Sequence, residues 1–227
     1  MHNSVLYWLS AAYRDTGLAQ DENPANLMRN AMRRLTFRWE RQFNDMANRL
    51  AQRFALKTLT ATDVSLRSAL SDMGFTVEFK MTERMRTAYQ GVIGENVNLI
   101  KSIPQQYLTQ VETLVMQSVQ RGRDLGGLTK ELQARYGITR RRAALIARDQ
   151  NNKATSVMTA ARQQALGITQ GVWRHSNAGA EPRKSHVDAS GEKFNLSTGM
   201  LIDGKRIMPG EEINCRCTWA PVVPGFD

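Results

Sequence analysis

The chain has 227 residues, 41% hydrophobic and 23% charged, enough for one generous domain or two small ones around a buried core. A formal net charge of +10 fits either long helices solubilised by arginine or a surface that meets a polyanion, and no apolar run approaches the roughly 18 residues that a membrane span requires. Two cysteines cannot make a disulfide framework, so nothing argues for a secreted, oxidised scaffold.

In chain order, Met1 to Tyr13 carries an apolar patch (Val5, Leu6, Tyr7, Trp8, Leu9) without a basic leader or a cleavage pattern. It is expected to be an anchoring helix or docking segment rather than a signal peptide. Over 24–57, Leu27, Ala31, Leu35, Trp39, Phe43, Met46, Leu50 and Phe54 recur at intervals of three or four. That is the apolar stripe of one long helix, with Asn23-Pro24 as cap and first-turn proline. Trp39, Phe43 and Phe54 are expected to be buried on it. A shorter helix is predicted over 63–73, capped by Thr62 and stopped by Gly74. "FTVEF" (75–79) alternates and predicts a lone strand.

Helices follow over 82–100 and 105–121, divided at Ile103-Pro104. A short helix over 128–136 closes at Gly137, and Thr139 caps a long helix from Arg140 to about Leu166, ended by Gly167. Beyond it, "QGVWRH" (170–175) predicts a strand and "SNAGAEPR" (176–183) a turn-rich loop. Short apolar pieces between glycines and prolines then run to residue 223. The fold class is α+β: a mainly helical body with long amphipathic helices, followed by a small irregular β-containing carboxy-terminal module.

The charge is unevenly placed. Residues 28–57 and 121–148 each hold eight Arg or Lys against two acids, whereas 173–227 hold seven of each. Arg33 and Arg34 in the first segment and Arg140, Arg141 and Arg142 in the second are therefore the candidates for non-specific contact with double-stranded DNA. Three arginines at a predicted helix start also oppose the helix dipole, which suggests an external anion.

No phosphate-cradling glycine loop, dinucleotide fingerprint, metalloprotease motif or nucleophile elbow is present. Cys215 and Cys217, one residue apart, could be a metal half-site, a redox pair or two small buried residues. With His175 and His186 they form H-x10-H and C-x-C, a poor spacing for a tetrahedral chelate. A disulfide between them would close a strained small ring. A catalytic thiol would need an electropositive setting and a base, which Arg216 and a distant His186 would permit without requiring it. His186, in a polar stretch, is expected to bond to backbone or to Asp188. Buried thiols are the favoured reading, with no catalytic residue, metal or cofactor assigned.

The run "GGLTKELQARYGITRRRAALIARDQNNKATSVMTAARQQALGI", then "GVWRHSNAGAEPRKSHVDASGEKF" and a closing "INCRC", resembles the phage Mu F-like head morphogenesis family. The likeness covers about 120–222 and rests on ordered landmarks: Trp173, Arg183, His186, Gly191, Phe194, then Asn214, Cys215, Arg216 and Cys217. It divides the chain into a helical body, 1–119, and a Mu F-like module, 120–227, helical to about 167 with a β-rich cap over 170–223. Some similar proteins carry a Cys-x-x-Cys before the glycine and a His before the final Cys-x-Cys. Here those places hold Arg183, His186 and Glu212-Ile213, leaving at most three ligands. The cysteines then read as packing residues of a terminal strand, with Arg216 facing the other way. The resemblance implies a low-copy minor head protein near the portal vertex, with the portal or other head proteins as partners, DNA nearby and no membrane. It implies residence in the virion, and in the host cytoplasm during assembly. The rivals are an enzyme of toxin, transferase or nuclease type using the Trp/His/Arg module, and a nucleic-acid-binding protein of the host.

Overall fold

The computed structural model describes residues 1–15, 23–121, 124–177 and 181–225. Four helices come first: α1 (His2–Asp15), α2 (Pro24–Asp72), α3 (Glu83–Gln120) and α4 (Leu125–Ala165). The short elements β1 (Gln170–Arg174), α5 (Lys184–Asp188), β2 (Lys193–Asn195), β3 (Met200–Ile202), β4 (Lys205–Ile207) and β5 (Thr218–Val222) follow. The α+β class holds. Among the described residues no helix is long and apolar enough to cross a membrane.

The helices are longer and fewer than the local signals suggest. α2 runs unbroken for 49 residues, and Thr62, expected to cap a second helix, is a buried residue inside it. α3 continues through Pro104, which has no N–H to give the preceding turn, while the Ser102 hydroxyl donates to the Leu99 carbonyl (2.8 Å). α4 continues through Gly137, and Thr139 bonds back to the Arg135 carbonyl (2.9 Å) rather than capping. Its real amino-terminal cap is Asp124, whose carboxylate accepts the Gly127 N–H (2.9 Å). Leu59 and Leu66 around Thr62, and Tyr107 and Leu108 after Pro104, are buried, which outweighs a breaker worth about 1–3 kcal/mol. At Gly137, flanked by the exposed Tyr136 and Ile138, the penalty is only about 1 kcal/mol and does not end a helix this long. The stops at Gly74 (φ +86°) and Gly167 (φ +81°) fall where expected.

Two further expectations are corrected. Residues 75–79 form no strand, because no neighbouring strand offers them a ladder; Phe79 instead lies under the guanidiniums of Arg162 and Arg67, 4.8 and 5.4 Å from its centroid. On α2, Trp39, Phe43 and Phe54 are only half-buried. The fully buried line runs one residue later, through Ala47, Ala51 and Ala55, where small side chains let a neighbouring backbone approach.

Two compact units result, and neither follows the linear division at residue 119. One comprises 1–50 and 96–144, the other 51–95 and 145–227. In the first, α1 contributes Val5, Leu9 and Tyr13 to a core with Met28, Met32 and Leu35 of α2, Tyr107 to Val115 of α3, and Leu128 and Leu132 of α4. In the second, Ala55 and Leu59 of α2, Met85 and Val92 of α3, and Ala154, Met158 and Ala161 of α4 form a helical core. Arg162 is almost wholly buried there; its guanidinium grips both carboxylate oxygens of Asp63 (2.7 and 2.8 Å) and the Lys80 carbonyl.

The carboxy-terminal module of the second unit has an antiparallel sheet in the order β2-β1-β5, and a β3-β4 hairpin. Asp203-Gly204, both with positive φ, close that hairpin as a two-residue turn. The module is pinned to α4 by polar side chains. Asn152 donates to the Cys215 carbonyl (2.9 Å), and Asp149 accepts the Asn214 N–H (2.9 Å). Gln163 accepts the Trp219 indole N–H (2.7 Å), and Gln164 donates to the Leu196 carbonyl (2.7 Å).

Asp63→Ala leaves the Arg162 charge buried and unpaired, so urea denaturation should show a loss of about 3–5 kcal/mol. Glu83→Ala, which removes only the exposed pair with Arg86, should cost under about 1 kcal/mol. Asn152→Ala should cost about 1–3 kcal/mol and speed amide exchange over residues 214–217, because a carbonyl on that turn loses its donor.

Candidate functional site

The landmarks from Trp173 to Cys217 converge on one place. Trp173, fully buried in β1, lies opposite Trp219 of β5. Two residues earlier the sheet tolerates only glycine, since a Cβ on Gly171 would lie 2.5 Å from the Trp219 ring. Trp173 meets Phe194 edge-on, and Phe194 meets Trp219 in the same way, at centroid separations of 6.0 and 6.2 Å. Gly191 (φ +95°) turns the chain so that its N–H reaches the Trp173 carbonyl, while the Trp173 N–H reaches the Glu192 carbonyl.

His186 is not a loop residue bonded to Asp188. It sits on α5, 3% exposed, edge-on to Trp173 at 5.5 Å. Its Nε2 is 3.2 Å from a Glu212 carboxylate oxygen, and its Nδ1 is 3.5 Å from Cys215 Sγ and 3.7 Å from Cys217 Sγ. The two cysteines are unbridged and buried, at 3% and 6%, with Arg216 exposed between them. They alternate as a strand would but lie just before β5, not within it. A hydrogen bond from the Cys217 thiol holds the Cys215 thiol well below the usual range, and the Gly210 N–H (3.3 Å from its sulfur) acts the same way. The same bond, together with burial, raises Cys217.

Arg183 leads into α5 and braces the turn beyond Gly210. Its guanidinium donates to the Ile213 carbonyl (2.8 Å) and lies 3.7 Å from Glu212. Asn214 takes a left-handed backbone (φ +63°) at the corner of that turn. A cleft of about 200 Å³ opens beside the cluster, lined by His186, both cysteines, Arg183, Asn214 and Arg216 among others. Seven of the nine sequence landmarks thus meet the cluster, the cleft wall or the ring against His186, while Phe194 packs on Trp173 and Gly191 holds the turn behind them.

The five candidate arginines lie elsewhere, in the first unit. Arg33 and Arg34 are on α2, and Arg140, Arg141 and Arg142 are on α4; all five are exposed. None makes an ion pair or side-chain hydrogen bond among the described residues. The arginine triplet sits mid-helix, so the argument from a helix start fails; the exposure stands. Sequence reasoning missed Asp149, Asn152, Gln163 and Gln164, whose only trace was a polar face on the long helix. It also passed over Glu212 as the partner of His186, which a separation of 26 residues conceals.

Residues 109–220 match the family described as Phage Mu protein F like protein. An uncharacterised protein of Haemophilus influenzae is 35% identical over 146 residues, 63% of this chain and 30% of the relative. The chain therefore spans under a third of that relative's length. No solved structure gives a significant match. With the landmarks gathered into one folded module, residues 109–220 of the chain belong to the phage Mu F-like family.

Proposed function

We propose that the chain is a minor head protein of a tailed phage, internal or portal-proximal. It would act in head assembly, DNA packaging or genome delivery by docking on protein and touching DNA, without turnover. The family match over residues 109–220 carries this reading. Two observations support the division of labour. The five exposed arginines of the first unit suit a phosphate backbone, which is bound by charge and without regard to sequence. The module of the second unit has no net charge and exposes Leu201 (60%) and Ile213 (66%), which suits docking on the portal or an adjacent head protein.

Duplex DNA binding by the purified chain should be sequence-independent and fall steeply with salt. Reversing Arg140, Arg141 and Arg142 to Glu should weaken it for every sequence alike. If each arginine meets a phosphate, removing the three contacts should lower the slope of log K against log salt by about 2.7. Binding unchanged by the triple reversal would refute the DNA role. Leu201→Asp with Ile213→Asp should leave the far-ultraviolet dichroism unchanged yet reduce incorporation into particles at least tenfold. Normal incorporation would remove the docking role from these two side chains, and a measured turnover by the purified chain would replace the structural reading with an enzymatic one.

A further inference from the structure

We infer that His186, Cys215 and Cys217 bind a divalent cation of the zinc class, through His186 Nδ1 and the two sulfurs. The sequence spacing argued for packing alone; the fold brings together what the spacing keeps apart. All three donor atoms lie within 4.8 Å of one another, and all three residues are buried, the sole such group among the described residues. With Zn–S near 2.3 Å and Zn–N near 2.0–2.1 Å, a tetrahedron has N···S edges of about 3.6 Å. The two edges here are 3.5 and 3.7 Å. Thiol hydrogen bonds to the ring nitrogen give similar lengths, so it is the convergence of three buried donors, together with the groups around them, that points to a metal.

The surroundings fit a metal-bound imidazole and thiolates. A ligating histidine characteristically gives its other ring N–H to a carboxylate, and His186 Nε2 faces Glu212 at 3.2 Å. Amide N–H groups aimed at sulfur stabilise thiolate, and those of Gly210 and Cys217 both meet Cys215. The fully buried Trp173 indole N–H has no oxygen or nitrogen acceptor among the described residues but interacts with the Cys217 sulfur. Two buried thiolates would be costly without a cation, and one divalent ion with a neutral imidazole balances them. Both thiol protons leave to solvent on binding, so no redox step is involved. The fourth tetrahedral position falls to water or to a group entering the adjoining cleft, as at sites with three protein ligands.

The test uses the whole chain without a polyhistidine tag, kept reduced with a phosphine and purified without added metal. Mass spectrometry should find one zinc per chain. Cobalt(II) added after zinc removal should give the thiolate-to-cobalt charge-transfer band and the intense visible bands of tetrahedral coordination. Cys217→Ser should abolish the charge-transfer band or markedly reduce it, and Glu212→Gln should weaken cobalt affinity about 10–100-fold. The wild-type chain needs no variant to be decisive, since a chelator should lower its melting temperature. Folded, reduced wild-type protein with neither bound zinc nor a cobalt band would overturn the assignment. So would a cobalt band that survives intact in both Cys217→Ser and His186→Ala.

Discussion

The carboxy-terminal module is too small to fix its own shape, and one face of α4 supplies what it lacks. Its sheets have three and two short strands, and among the described residues a cluster of nine buried hydrophobic residues stands behind them. Elements of that size are marginal alone. Asn152 and Gln163, eleven residues apart on α4, fall within about 20° of each other around the helix axis. Asp149 and Gln164 flank them, and together the four side chains satisfy two backbone N–H or C=O groups of the cysteine turn, the β5 indole and the Leu196 carbonyl. The geometry of the cysteine turn, and so of the cluster, depends on that helix being continuous and rigid.

Continuity of the helices at Thr62 and Pro104 in turn depends on burial beside the weak point. Leu59 and Leu66 flank Thr62, and Tyr107 and Leu108 follow Pro104; all four are buried, and ending the helix there would expose large side chains at about 1.5–3 kcal/mol each. Gly137 costs about 1 kcal/mol, too little to end the helix. Arg162 adds a directional element. Its bidentate grip on Asp63 and its bond to the Lys80 carbonyl tie α4, α2 and the segment before α3 in fixed register within the second unit.

Charge and chemistry are thereby partitioned. The first unit presents Arg33, Arg34 and Arg140 to Arg142, which make no ion pair among the described residues, whereas the second holds a module of no net charge in which His186, Cys215 and Cys217 are buried together. Under the proposed function, a surface for DNA and a module for protein would place different demands on side chains. The former wants long, solvated cations, the latter a rigid, desolvated frame. The His186, Cys215 and Cys217 cluster belongs to that frame: with the bonds of Arg183 to Ile213 and Glu212, it joins α5 to the approach to β5.

The sequence by itself determined the local facts. Apolar recurrence at three and four marked α2, the glycines at 74 and 167 marked where helices stop, and the ordered run from Trp173 to Cys217 marked the family. These signals act within a turn or two of chain, where propensity and φ restrictions operate. The tertiary structure decided the rest. It merged helices across Thr62, Pro104 and Gly137, moved the buried line of α2 from aromatics to alanines, and left residues 75–79 without a strand to pair with. It also took His186 from an expected loop into a buried cluster whose partners lie 26, 29 and 31 residues away. Spacing along the chain carries no record of such pairings, because they are fixed by which surfaces must leave water together.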